Sequence, residues 1–367
     1  MRIAHIIPCS NKSVIEDYIK FVNENYNIKN HTFYLINNKI SDLEVLKYNN
    51  VHEIFMLKTN NIINITNNYD KLIIHFLKLK TSQMLILLLN PKIFMNIYWV
   101  AWGADLYQYK EKKEGNLLEK IKIEVKNYIS TKFRKKIRYF VGIFPPDIDF
   151  FRKELHSDAK TFYASYTGNL YNAVYKKNHR IKMLENKISN NECINIQIGH
   201  SSTNVLNHIS VLNNLSKFKD ENINIFIPLS YGNKDYGDLV QNTAKALYGD
   251  KVVCIREIMS MDMYMEFLST IDIAIFNTPR QIGLGNINPL LFMEKKIFMP
   301  KGSVMYDFYK SQNINICDYN EIQNLNFKDF INPINMKEGR NYMVAELDKE
   351  KKIEMWSKVF LEPVKLR

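Results

Sequence analysis

Ile194-Asn195-Ile196-Gln197-Ile198-Gly199-His200-Ser201-Ser202-Thr203-Asn204 reads as a short apolar strand that ends on glycine and passes through hydroxyl residues into a helix start. Alternation of a β-branched residue with a small polar one over five positions is the pattern of a strand. The glycine permits a tight turn, and the Ser and Thr that follow suit the start of the helix expected over Thr203 to Phe218. A strand, a glycine turn and a helix in this order make one βα unit.

The same unit recurs outward in both directions. Downstream runs at Ile223 to Pro228, Val252 to Ile255, Ile271 to Phe276 and Lys296 to Met299 are separated by helix candidates at Lys234 to Leu247 and Asp262 to Thr270. Upstream runs lie at Arg2 to Ile7, Thr32 to Ile36, Val51 to Leu57, Leu72 to Phe76, Ile97 to Ala101 and Tyr139 to Ile143. Alternating strands and helices with short connections predict a mostly parallel, doubly wound sheet. At 367 residues the chain suits two such domains, given about 150 to 200 residues for each. The fold class expected is α/β, with two Rossmann-like domains facing across a cleft. Residues 1–170 form the first, 171–192 a polar linker and 193–345 the second, while 346–367 contain a helix that packs back on the first.

Composition narrows the function classes. The four cysteines, Cys9, Cys193, Cys254 and Cys317, are far apart and contain no C-x-x-C pair, so neither a disulfide framework nor a zinc site is expected. The run Met1 to Pro8 is too short for a signal peptide, and the apolar stretch Met84 to Val100 is interrupted at Asn90-Pro91-Lys92. Of the net charge of +12, Lys110 to Arg138 supplies 11 − 4 = +7 within 29 residues. Apolar residues at helical spacing among those lysines suit an anionic membrane surface, or an ordinary domain helix with a solvated basic face. No nucleic-acid module accompanies the charge, and no nucleic-acid partner is expected.

Several loops carry candidate chemistry. In an open α/β sheet the ligand lies beyond the carboxyl ends of the strands. There the chain places Gly199, His200, Ser201 and Ser202 after one strand. Pro228 and Tyr231, with Tyr236 beyond, follow a second. Pro279-Arg280-Gln281-Ile282-Gly283-Leu284-Gly285-Asn286 follows a third. A guanidinium beside flexible backbone holds an anion, and an aromatic side chain stacks on a base; a nucleotide is the expected ligand. Arg280 is equally compatible, taken alone, with a plain surface turn. In the first half, Trp99-Val100-Ala101-Trp102-Gly103-Ala104-Asp105-Leu106-Tyr107 passes from a strand through glycine to an acid. Trp102 suits a sugar face and Asp105 a general base, with core packing and helix capping as the bland alternatives. His75 is a second base candidate or a buried core histidine. Asp147-Ile148-Asp149 has the spacing of a metal-holding D-x-D, but its place after Phe144-Pro145-Pro146 favours helix capping, and no metal is expected.

Taken together, Trp102-Gly103-Ala104-Asp105-Leu106-Tyr107, Gly199-x-Ser201 with Asn207-His208-Ile209, Pro228-x-x-Tyr231 with Tyr236, and Arg280-Gln281-x-Gly283-x-Gly285 resemble the TDP-N-acetylfucosamine:lipid II N-acetylfucosaminyltransferases, glycosyltransferase family 56. The resemblance covers nearly the whole chain, including a Trp in the last helix like Trp356. It implies a GT-B architecture with a nucleotide-sugar donor bound largely by the second domain; no metal or other cofactor is expected. It also implies transfer of a 4-acetamido-4,6-dideoxy hexose from a dTDP-sugar to an undecaprenyl-diphosphate-linked saccharide in enterobacterial common antigen-like assembly. The enzyme would then be peripheral, at the cytoplasmic side of the bacterial inner membrane. On this reading Gly199 to Ser202, Pro228, Tyr231, Tyr236, Arg280, Gln281, Gly283, Gly285 and Asn286 bind donor, and Trp102, Gly103 and Tyr107 bind acceptor. Asp105, His75 and Arg280 are the catalytic candidates. His200, Ser202-Thr203 and Asn286 depart from the family pattern near the expected donor. The alternatives are a UDP-sugar donor, a nucleotide-sugar 2-epimerase of similar architecture, and a non-enzymatic basic scaffold.

Overall fold

The computed structural model describes residues 1–9, 12–36, 43–90, 94–110, 116–166 and 184–363. The polar stretch Lys176 to Arg180, the centre of the expected linker, lies outside them, as do Pro91 and Lys92. The chain divides into one unit of Met1–Asn169 with Leu347–Arg367 and a second of Leu170–Glu346.

In the first unit the strands are β1 (Ile3–Pro8), β2 (His31–Ile36), β3 (Val51–Ile54), β4 (Lys71–His75), β5 (Ile97–Ala101), β6 (Tyr139–Gly142) and β7 (Lys160–Tyr163). Their order is β3-β2-β1-β4-β5-β6-β7, with every pairing parallel. Both faces of this sheet are covered, which is why its strands are apolar at nearly every position. Along β5, Tyr98 and Val100 enter one core with Phe33, Ile73 and Trp356, while Ile97, Trp99 and Ala101 enter the other with Ile74 and Phe140. The helix Lys349–Phe360 completes the first of these cores: Trp356 is fully buried and its indole donates to the Ser165 carbonyl at 3.1 Å. The buried Lys71 ammonium donates to the carbonyls of Val359 and Phe360 at 3.0 and 2.7 Å. A cation there satisfies the last carbonyls of the helix and complements its dipole.

The second unit contains β8 (Ile194–Ile198), β9 (Ile223–Pro228), β10 (Val252–Ile255), β11 (Ile273–Ile275), β12 (Lys296–Met299) and β13 (Cys317–Asp318), in the parallel order β10-β9-β8-β11-β12-β13. Both sheets thus have the doubly wound arrangement in which the winding direction reverses beside the first strand. In the first unit the reversal lies between β1 and β4; in the second, between β8 and β11. β7 and β13 were not expected. Lys160 is exposed and β13 has only two residues, so neither carries an apolar run. A helix at Leu184–Ser189 also falls inside the stretch expected to be linker.

The helix expected over Thr203 to Phe218 is broken. Asn204–Leu206 forms one 3-10 turn, Asn207 takes φ 48°, and the α-helix starts only at His208 and runs to Leu215. Asparagine tolerates the left-handed region better than most residues, so the chain turns there before the helix begins.

Candidate nucleotide site in the second unit

The reversal between β8 and β11 gathers the loops that the sequence marked. Gly199 leaves β8 with φ 62°, and a Cβ on it would lie 2.4 Å from His208 Nε2. Glycine is therefore required both by the backbone and by the histidine stacked over it. Beyond it, the Ser202 amide donates to the Tyr231 carbonyl at 2.7 Å and the Ser202 carbonyl accepts from the Asn233 amide at 2.8 Å, a parallel bridge opposite Gly232. The Ser202 hydroxyl donates to the Leu229 carbonyl at 2.9 Å, and the Ser201 and Thr203 hydroxyls are 2.8 Å apart. These bonds tie the loop after β8 to the loop after β9. Ser202 is thus a loop-to-loop clamp.

The segment after β11 turns back over the same edge. Arg280 is buried; its guanidinium donates to the Gln281 carbonyl at 2.9 Å, and its amide and carbonyl both meet the Thr278 hydroxyl. Gly283, at φ 79°, caps the helix Leu284–Phe292, and a Cβ on it would lie 2.8 Å from His200 Nδ1. The amino end of that helix, with its free amide donors and positive dipole end, therefore abuts the His200 ring. Gly285 sits in its first turn with open space around its Cα. Asn286 faces inward: its Oδ1 accepts from Gln197 Nε2 at 3.1 Å and from the Tyr264 hydroxyl. Tyr236 is held in a similar way. Its hydroxyl accepts the His208 amide at 3.1 Å at the start of the helix and lies 3.3 Å from His208 Nδ1. Pro228 closes β9 and is buried, whereas Tyr231 is more than half exposed, its ring 6.2 Å from that of His200.

What this edge holds in surplus is buried polar atoms. His200 Nδ1, His208 Nε2, Gln197 Oε1 and Gln281 Oε1 are each buried without a hydrogen-bond partner among the described residues. Such atoms are costly in a core and are normally paired. Burial, His208 and the Arg280 charge hold the His200 imidazole down to about 3, and burial holds His208 down to about 4, so both are neutral at pH 7. The edge thus carries one fixed cation, a helix amino end and neutral rings able to donate: a set of groups suited to an anion. His208, Gln197 and Tyr264 were not among the expected site residues. A glutamine in the middle of an apolar strand was the available signal for Gln197.

In the first unit the structure places Asp105 in a hydrogen-bonded pocket at the end of β5. Its carboxylate is buried and accepts from Trp99 Nε1 at 2.6 Å, the Leu77 amide at 2.8 Å and the Trp102 amide at 2.9 Å. Burial raises its pKa against those bonds and the nearby Arg134, and its three donors clamp the β5 turn. Gly103, at φ 97°, makes that turn possible, and the Tyr107 hydroxyl donates to Asp147 Oδ1 at 2.9 Å. Asp147 is buried and Asp149 exposed on the same helix, so the two carboxylates do not form a shared site. His75 is fully buried at the end of β4. Trp102 is half-buried at the end of β5, its indole donating to the Tyr166 hydroxyl at 2.7 Å.

The family described as 4-alpha-L-fucosyltransferase, glycosyl transferase group 56, matches residues 2–361. Among solved structures, a glycosyltransferase from Rickettsia africae is similar with a TM-score of 0.66 at 14% identity, covering 99% of each chain. Alr3699/HepE from Anabaena, solved in complex with UDP, gives 0.66 at 9% identity over 99% of this chain and 100% of its own. A putative UDP-N-acetylglucosamine 2-epimerase from Listeria monocytogenes gives 0.54 at 12% identity over 99% of this chain and 98% of its own. The two parallel-sheet units are those of the GT-B fold.

Proposed function

The chain belongs to glycosyltransferase group 56, and on that premise we propose that its second unit binds the diphosphate of a dTDP-sugar and that the sugar passes to an undecaprenyl-diphosphate-linked saccharide. The transferred sugar is a 4-acetamido-4,6-dideoxy hexose, and the product feeds bacterial surface polysaccharide of the enterobacterial common antigen type. The observation that carries this reading is the edge between β8 and β11, where Arg280, the amino end of helix Leu284–Phe292 and the unpartnered ring nitrogens of His200 and His208 converge. As the glycosidic bond to the diphosphate breaks, negative charge grows on the leaving oxygen. Arg280 and the helix amides stabilise it without a metal, and the rigid clamp of Ser202 on the Tyr231 loop keeps those donors in place. Tyr231 stacks on the base.

The acceptor side belongs to the first unit, with Trp102 as the sugar platform. A lipid-linked acceptor brings the protein to an anionic membrane surface on the cytoplasmic side. Helix Leu117–Lys136 supports this: Leu117, Leu118, Ile121, Val125 and Tyr128 are exposed, between 50% and 74%, among Lys120, Lys122, Lys126 and Lys132. Exposed leucines interleaved with lysines fit the boundary between headgroups and acyl chains. Among the described residues no helix is long and apolar enough to cross a membrane.

Arg280→Ala tests the donor reading. Turnover of dTDP-sugar with an undecaprenyl-diphosphate disaccharide falls by about 10²–10³-fold or more, the scale of removing one transition-state donor, while the circular dichroism spectrum is unchanged. Near-normal transfer by that variant refutes the assignment. Conversion of a nucleotide-sugar without any acceptor supports epimerisation instead, and loss of activity to a chelator refutes the metal-free mechanism.

A further inference from the structure

Three histidines on neighbouring strands of the first unit touch in sequence. His31 of β2, His5 of β1 and His75 of β4 are buried on one face of the sheet, with His31 Nδ1 3.1 Å from His5 Nε2 and His5 Nδ1 3.3 Å from His75 Nε2. His75 Nδ1 then meets the Tyr166 hydroxyl, which accepts from Trp102 Nε1 at 2.7 Å. Tyr18 adds its hydroxyl 3.4 Å from His5 Nδ1. A hydrogen-bonded line thus runs under three strands and ends on the edge of the half-buried Trp102 ring.

Elementary donor and acceptor rules give this line a direction. An indole N–H only donates, so the Tyr166 oxygen accepts from Trp102, which leaves its single proton to satisfy His75 Nδ1. A neutral His75 then carries its proton on Nε2 and donates to His5 Nδ1; His5 in turn donates from Nε2 to His31 Nδ1. Once Tyr166 donates to His75, the tautomers of the three histidines follow in turn. Burial, reinforced for His5 by the two neighbouring rings and for His31 by Lys71, holds the three imidazoles in their neutral form. We infer that His31, His5, His75 and Tyr166 are positioning residues, a chain of single polarity that fixes the Trp102 indole as a rigid platform for the acceptor sugar. This deepens the reading of Trp102 given above and rests on it for the identity of the ligand.

Two further features fit a platform that must not move. Phe76, directly after His75, takes φ 56°, an uncommon conformation for a bulky residue, and its ring lies 5.7 Å from that of Trp102. The Tyr166 ring also meets Trp102 edge-on at 5.8 Å. The indole is therefore held by its N–H, by two rings and, through its own backbone amide, by Asp105.

The test is nitrogen-15 NMR of the full chain labelled at histidine and tryptophan. The wild type shows His5, His31 and His75 as the Nε2–H tautomer, and any of the three found as Nδ1–H overturns the polarity. Tyr166→Phe keeps the ring and removes the hydroxyl. In this variant the Trp102 indole N–H loses its hydrogen-bonded shift and its protection from exchange while Trp99 and Trp356 keep theirs; an unmoved Trp102 signal overturns the positioning role. With an undecaprenyl-diphosphate disaccharide as acceptor, Tyr166→Phe raises the acceptor KM about tenfold and leaves kcat within about twofold. An equal fall in kcat with unchanged KM refutes the platform. If the wild type does not use that acceptor, the functional reading fails while the NMR results still decide the chain.

Discussion

Asp147 offers a sharp measurement because its environment and its ionisation conflict. It is fully buried, its Oδ1 holds the Tyr107 hydroxyl, and its Oδ2 has no hydrogen-bond partner among the described residues. Burial pushes the carboxyl up to about 7 from an ordinary 3.8, with the Asp105 charge adding to the rise. A folded pKa above the unfolded one means that ionisation favours unfolding. The first unit therefore loses stability as pH rises from about 4 to about 7, by about 4 kcal/mol, three pH units at about 1.4 kcal/mol each. Asp147→Asn keeps an acceptor for Tyr107 but cannot ionise. Its unpartnered amide adds a cost that does not vary with pH, so the quantity to compare is the slope. Between pH 5 and pH 8, stability of the variant relative to wild type should improve by about 2 to 3 kcal/mol. Trp99, Trp102 and Trp356 are the protein's three tryptophans and all lie in the first unit, so urea unfolding followed by their fluorescence reports that unit alone. A difference between variant and wild type that is constant from pH 5 to 8 refutes the reasoning.

The two glycines of the Arg280 segment should behave oppositely. Gly283→Ala forces a side chain onto His200 at a positive φ and destabilises the second unit by about 1 to 3 kcal/mol. Gly285→Ala enters open helical space and changes stability by about 0 to 1 kcal/mol in the favourable direction. Thermal unfolding followed by circular dichroism separates them. The buried pair of Lys187 and Asp272, 2.6 Å apart, is tested by Lys187→Met, which strands the carboxylate in the core and costs about 3 to 5 kcal/mol in the same measurement. Leu117→Ser with Leu118→Ser lowers co-sedimentation with anionic vesicles at least fivefold without altering transfer to a water-soluble acceptor; unchanged vesicle binding refutes the membrane-facing role of that helix.

Much of the architecture was legible because strands covered on both faces are mostly apolar: Ile97 to Ala101 is apolar throughout, and Ile194 to Ile198 has isoleucine at every second position. What escaped lacked that signal: β7 is a polar edge strand, and the break at Asn207 depends on one residue adopting a left-handed conformation. In the candidate site, the glycines were legible because Gly199 and Gly283 are needed by backbone geometry. The roles of hydroxyl and amide side chains were not. Whether Asn286 faces a ligand or Gln197 is decided by a contact between residues 89 apart in the chain. The histidine line was hidden for the same reason, since His5, His31 and His75 lie 26 and 70 residues apart along its two links.

The placement of Lys349–Phe360 in the first unit has a consequence for synthesis. The second unit is one contiguous stretch, Leu170–Glu346, but the core beneath β1 and β4 lacks Trp356 until that residue is made. Domains that emerge first from the ribosome ordinarily fold first. Here the order inverts: the unit begun first closes last, around the residue that packs beside Tyr18, His75 and Tyr166. Until the final helix docks, a nascent chain exposes an aromatic cleft, and truncation before residue 356 should leave it a substrate for chaperones and proteases.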